Sequence, residues 1–154
     1  MKVVRTSELA WADSLKQGAY LQRRKELGGE HLACGLWELA PGKKSFPFHK
    51  HHVTEEALFV VSGKGQVRTD AGLTPIGPGD FVSFPAGGSA HQLLNDGSEP
   101  LVYLGISAPK GVDIVEYPDS GKVASSVGTG PNRKRFIFRA KDQVEYFTDD
   151  KDAG

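Results

Sequence analysis

PGKKSFPFHKHHVTEEALFVVSG, residues Pro41 to Gly63, brings three candidate metal ligands into eight positions: His49, His51 and a carboxylate at Glu55 or Glu56. In an extended chain, side chains alternate with a period of two, so the imidazoles of His49 and His51 share one face while Lys50 and His52 turn away. A carboxylate returning to that face after a short kink at Val53-Thr54 completes a set of three. The kink resets the alternation and ALFVV is apolar on both faces, so parity leaves Glu55 and Glu56 both open.

A metal held by one such segment has its other side uncovered, which calls for a ligand from elsewhere. About forty residues on, GDFVSFPAGGSAHQLLN, residues Gly79 to Asn95, places His91 just after a Pro/Gly-rich turn and ahead of an apolar pair. A strand entering there can aim His91 across at His49 and His51.

Gly42…His49-x-His51-x4-Glu56-x6-Gly63, followed by Gly79-x5-Pro85-x-Gly87…His91-x3-Asn95, resembles the two sequence motifs of the cupin superfamily. One extra residue stands between Gly42 and His49, and another between Gly87 and His91; both fall in loops. The resemblance spans about half the chain, from Trp37 to Ile106, and two ordered motifs at compatible spacing are far more specific than either alone. It selects Glu56 over Glu55, and it implies that His49, His51, Glu56 and His91 bind one divalent transition metal (Zn, Mn, Fe, Ni or Cu). It also implies a double-stranded β-helix, or jelly-roll barrel.

Composition points to the same class without the resemblance. Nineteen glycines and nine prolines, set mostly between short apolar runs, favour a turn-rich all-β chain. At 154 residues one domain is expected, with a barrel core over about 30–108, an N-terminal arm over 1–29 and a C-terminal extension over 109–154. Lysine plus arginine balances aspartate plus glutamate at 19 each, so no net field draws nucleic acid. The lone Cys34 forms no internal disulfide, and no apolar run approaches the ~20 residues of a membrane span. MKVVRTSELAW lacks the apolar core of a secretory signal, and a cytoplasmic setting is expected.

Along the chain, Leu9, Ala12 and Leu15, with Ser7 as N-cap and Gly18 as stop, predict a short helix over Thr6–Gln17. Tyr20–Leu27 and His31–Leu39 read as strands. By the resemblance, the first of these adds to a neighbouring subunit's sheet and gives a homodimer. ALFVV reads as a buried strand, Ser62–Gly65 as a tight hairpin and Gln66–Thr69 as the return strand. Pro75–Asp80 is too proline-rich for a central strand and reads as a loop. Phe81–Phe84, His91–Leu94 and the nearly continuous apolar LVYLGI of Leu101–Ile106 complete the barrel. Val112–Tyr117, Arg135–Arg139 and Val144–Phe147 read as peripheral strands, Ser125–Asn132 as a loop and Asp149–Gly154 as a frayed end.

Neutral imidazoles with one carboxylate suit first-row divalent metals and leave coordination positions for water or substrate. Small cupins with such sites act on small oxygen-bearing molecules, so the resemblance implies, first, a sugar or sugar-phosphate isomerase or epimerase. An Fe(II)-dependent dioxygenase or other oxidoreductase, and a non-catalytic sensor or carbohydrate-binding module, are the alternatives. Glu55, His52 and Tyr103 are the candidate acid–base groups, although parity reads His52 first as a solvent-facing neighbour and Glu55 as a surface or ligand-orienting residue. Lys43 and Lys44 could greet an anion at the barrel mouth, but solvated charge is the plainer reading.

Overall fold

A computed structural model describes residues 1–29, 31–128 and 132–149. Among the described residues the strands in chain order are β1 (Ala12–Gln17), β2 (Tyr20–Glu26), β3 (Ala33–Leu39), β4 (Lys50–His51), β5 (Glu55–Ser62), β6 (Gly65–Thr69), β7 (Gly72–Ile76), β8 (Phe81–Phe84), β9 (His91–Leu94), β10 (Leu101–Ala108), β11 (Val112–Tyr117), β12 (Lys122–Val127) and β13 (Lys134–Arg139). One wall is a six-stranded sheet in the order β1-β2-β3-β10-β5-β8. The other combines β7-β6-β9 with β13-β12-β11-β4. Isolated bridges between Lys44 and Leu94 and between His49 and His91 join these two sheets along the segment that carries the histidines. The result is all-β and consistent with a jelly-roll barrel.

The core lies between the walls. Leu39, Leu58, Val60, Leu101 and Tyr103 come from the six-stranded side and meet Val67, Ile76 and Leu93 from the other, with Trp37, Val82 and Phe84 packed against them. Burial of this apolar surface is the main force holding the walls together. Along β5 the burial alternates: Leu58 and Val60 are inside, while Phe59 and Val61 are 38% and 47% exposed. ALFVV is therefore a one-sided strand, and Glu56 shares the inward parity of Leu58 and Val60.

Several sequence-based expectations are corrected. The helix over Thr6–Gln17 does not form: Thr6–Glu8 is a single 3₁₀ turn and Ala12–Gln17 is β1, paired antiparallel with β2. A register shift between Asp13 and Leu15 disturbs the strand alternation there, which leaves a threefold spacing that mimics a helix. Gly18, at φ +57°, opens the two-residue turn into β2. β2 pairs along both edges within its own chain, with β1 and with β3.

Gly63 and Lys64 form no hairpin, because β5 pairs with β10 and β8 whereas β6 pairs with β7 and β9. They carry the chain from one wall to the other. A Cβ on Gly63, whose φ is +79°, would lie 2.3 Å from the Pro100 carbonyl oxygen, so this crossing requires glycine. Pro75 sits inside β7, opposite Gln66; β7 is an edge strand, where a missing N–H is tolerated.

The C-terminal extension is more than peripheral. β11 pairs through Val115 with His51 of β4, and a small second core of Val115, Tyr117 and Ala124 lies beneath it. Val144–Phe147 is not a strand, and Ser125–Val127 belongs to β12. Residues 129–131 of the expected loop, and 150–154 of the expected frayed end, lie outside the described residues. Among the described residues no helix is long and apolar enough to cross a membrane.

Arg68 of β6 grips Asp119, in the turn after β11, with two hydrogen bonds of 2.6 and 2.8 Å, and its guanidinium lies 4.0 Å from the Phe48 ring centroid. These hydrogen bonds hold the Asp119 carboxyl below its usual range against a smaller opposing effect of burial. A depressed folded-state pKa gives stability that is present above the unfolded pKa and is lost as pH falls through the folded one. The pair is exposed, so its contribution is small. Arg68→Gln is expected to lower stability in urea at about pH 6 and to differ less from the parent at about pH 3, where Asp119 is protonating; a gap that widens on acidification would contradict this coupling.

Candidate metal centre

Three imidazoles from one wall face one carboxylate from the other. His49 precedes β4 and exchanges both backbone hydrogen bonds with His91 at the head of β9, at 3.1 and 2.7 Å. His51 lies in β4, and its carbonyl accepts a hydrogen bond of 2.8 Å from Gly87 N–H, which seats the turn before β9 against the first motif. Glu56 enters from β5, inward by parity. Its Oε2 lies 3.6 Å from His49 Nε2, 3.4 Å from His51 Nε2 and 3.2 Å from His91 Nε2. Ligand atoms of His49, His51 and Glu56 all lie within 4.8 Å of one another.

The far side of each ring decides what its near side offers. His49 Nδ1 is 2.7 Å from the Pro47 carbonyl oxygen, which only accepts, so the proton sits on Nδ1 and Nε2 presents a lone pair. His51 Nδ1 is held by Asp113 Oδ2 in a short hydrogen bond, with the same consequence. His91 is fixed by its backbone pair and by stacking on Phe84, with ring centroids 3.8 Å apart; its buried Nδ1 has no partner among the described residues. Two lone pairs thus point at a third electron donor, an arrangement that repels itself unless a cation stands among the donors. Ligands at about 2.1 Å from a shared ion stand about 3.0–3.4 Å apart for angles between 90° and tetrahedral, which is close to the separations here.

Burial raises the Glu56 pKa, but the imidazoles gathered around it, with His91 Nε2 within hydrogen-bond distance, more than offset that, so the group stays a carboxylate. Asp113 is likewise raised by burial and lowered further by the His51 hydrogen bond, by the Thr54 side chain and by the Val53 N–H on its Oδ1.

Two cavities flank Glu56. The first, about 180 Å³, is an aromatic chamber that includes Trp37, Phe46, Phe84 and Tyr103 together with Arg24, Glu26, His49 and His91. The second, about 240 Å³, lies toward the C-terminal extension and includes His51, Thr54, Asp113, Lys110, Ser126 and Arg133.

Of the three acid–base candidates, only Tyr103 reaches a cavity. Its hydroxyl donates to Gln22 Oε1 at 3.3 Å, and burial followed by the Glu56 charge pushes its pKa up, so it stays protonated. Glu55 is exposed and lines neither cavity. His52 and Lys50 both turn away to Glu116, at 2.6 and 3.2 Å, as alternation predicts. Lys43 reaches back to the Gly18 carbonyl, and neither it nor Lys44 lines a cavity. Cys34 lines the chamber with its thiol pKa raised by burial and then by Glu26, so it is no activated thiolate.

Sequence reading missed Asp113 and Glu26. The signal for Asp113 was present in VDIVEY, where it shares the buried parity of Val115 and Tyr117, an unusual place for a carboxylate without a partner.

The profile of a family described as the Cupin domain matches residues 35–107. An uncharacterised protein of Streptomyces coelicolor is 31% identical over 110 residues, which span 71% of this chain and 99% of that protein. A crystal structure of an Acidithiobacillus ferrooxidans protein, provisionally assigned as a sugar phosphate isomerase, superposes with a TM-score of 0.81 at 30% identity, covering 93% of this chain and 95% of the other. A cupin-superfamily sugar phosphate isomerase of Silicibacter pomeroyi superposes at 0.79 with 22% identity over 94% and 96%, a likeness of fold.

Asp113→Asn keeps an acceptor for Val53 and Thr54 but turns an amide N–H₂ toward His51 Nδ1, which drives the imidazole proton to Nε2. Zinc affinity, measured by competition with a chromophoric chelator, is expected to fall about 10- to 100-fold with the circular dichroism spectrum unchanged. Equal affinity in the two proteins would show that Asp113 does not set the His51 tautomer.

Proposed function

The chain belongs to the cupin superfamily, and from that premise we propose that it is a metal-dependent isomerase of a sugar or sugar phosphate. We assign one divalent first-row transition metal to His49, His51, Glu56 and His91. The observation that carries this reading is the convergence of three Nε2 atoms on Glu56 Oε2 at 3.2–3.6 Å, with two of the rings locked as Nε2 lone-pair donors. Neutral imidazole and carboxylate are donors that such ions accept. When bound, the ion supplies Lewis acidity toward a carbonyl or hydroxyl oxygen.

The choice of isomerase draws support from the full-length likeness, at 30% identity, to the Acidithiobacillus protein provisionally assigned that activity. In the aromatic chamber, Trp37 and Tyr103 stack with centroids 6.4 Å apart and an interplanar angle of 10°, and Phe84 backs His91, so a small substrate would meet a largely apolar wall. Tyr103 positions a protonated hydroxyl. Among the residues that line this chamber, the carboxylate outside the ligand set is Glu26, whose Oε2 lies 3.4 Å from Arg24 Nη2. We assign it the proton transfer on carbon that aldose–ketose interconversion needs.

Incubation with a panel of aldose and ketose phosphates in D₂O is expected to give solvent deuterium at the carbon next to the carbonyl. Chelation should abolish exchange, and Glu26→Gln should slow it about 10²- to 10⁴-fold with metal content intact. His91→Ala should lose metal; unchanged metal content would show the ligand set to be wrong. Oxygen consumption by the iron-loaded protein without any exchange would replace this reading with an oxidative one.

A further inference from the structure

The second cavity carries a charge pattern that the ligand set does not use. Its carboxylates are Glu56 and Asp113, and both are committed: Glu56 to the three imidazoles, Asp113 to His51 and to the Val53 and Thr54 N–H groups. Its two cations are not. Lys110 makes no ion pair among the described residues, and Arg133 makes one hydrogen bond, of 3.2 Å, to the neutral Ser126 hydroxyl. This contrasts with the aromatic chamber, where Arg24 already faces Glu26. A cavity of about 240 Å³ beside the metal centre thus offers two uncommitted cationic side chains and no uncommitted carboxylate.

We propose that this cavity is the anion subsite of the active site, in which Lys110 and Arg133 hold the phosphate group of a phosphorylated substrate whose oxygen-bearing carbons reach the metal centre. Arg133 brings a planar fork of donors and Lys110 a compact ammonium with three. Together they match the several acceptor oxygens of a phosphate monoester better than the two of a carboxylate. The Ser126 hydroxyl, held by Arg133, fixes the direction of the guanidinium. Both cations come from the segments on either side of β11 and β12, so the C-terminal extension supplies the subsite while the barrel supplies the metal ligands. The inference rests on the isomerase reading for the substrate's other end, but the subsite has a binding readout of its own.

Inorganic phosphate is titrated into the zinc-loaded protein and into chelated protein, with affinity read by calorimetry and metal content by elemental analysis. Lys110→Gln and Arg133→Gln are each expected to weaken phosphate binding about tenfold, the worth of one charge-assisted hydrogen bond, with zinc content and fold unchanged. Lys141→Gln, on the surface outside both cavities, should leave binding as it was. Phosphate affinity that ignores both substitutions, that falls equally with Lys141→Gln, or that is absent from the parent protein overturns the proposal. Phosphate binding that depends on Lys110 and Arg133 without exchange on any sugar phosphate sustains the subsite and rejects the isomerase; exchange on sugars with phosphate affinity indifferent to Lys110 and Arg133 does the reverse.

Discussion

Electron-pair donors that face one another across a barrel are the constraint on which this structure turns. Three imidazole nitrogens and a carboxylate oxygen, gathered from opposite walls within 3.2–3.6 Å, cannot all be hydrogen-bond acceptors to each other. Desolvation strengthens that conflict, because few water dipoles remain to relieve it. His91 can ease it by donating from Nε2, its Nδ1 being unpaired. As neutral rings His49 and His51 cannot, since Pro47 and Asp113 hold their protons on the other side. A positive charge among the donors would resolve the remainder, and the donors are held in place for it by backbone pairing.

That backbone pairing has two parts. The reciprocal hydrogen bonds of His49 with His91 fix the spacing between motifs that are separated by about forty residues. The pairing of β4 with β11 places Asp113 behind His51, and Lys50 and His52 against Glu116 on the reverse face. A two-residue strand has little stability of its own. β4 persists because it is bounded by a bridge to His91 on one side and by a ladder to Val115 and Glu116 on the other, above a core from both walls.

The parts of this arrangement that were legible in the sequence are those set by local periodicity. Alternation alone put His49 and His51 on one face and sent Lys50 and His52 to the other. It could not choose between Glu55 and Glu56, because the bend at Val53-Thr54 hides where β5 begins. The motif spacing selected Glu56, and its parity with Leu58 and Val60 turns it inward. Asp113 lies sixty-two residues from His51, and nothing local announces that pairing. The N-terminal segment misled for the opposite reason: a register shift in β1 erased the twofold pattern and left a spurious helical one. Ser62–Gly65 carried the residues of a hairpin but serves as a crossing, since turn chemistry specifies a change of direction and says nothing of which strands then pair.

Much of the second cavity is built from residues beyond the stretch that the family profile covers. That stretch ends at residue 107, and it contains every residue of the proposed ligand set. Lys110, Asp113, Ser126 and Arg133 all follow it. Asp113 fixes the tautomer of one ligand, and the other three shape a cavity whose fixed negative charges are already spent. In a barrel without β11 and β12, His51 would lack its acceptor and Glu56 would face solvent where the second cavity now stands. The proposed ligand set therefore belongs to the shared barrel, whereas much of the polarity of the second cavity belongs to the extension. Two proteins with the same four residues in the barrel and differently charged extensions would then surround them with different polarity, which is why fold and ligand set alone do not fix a substrate.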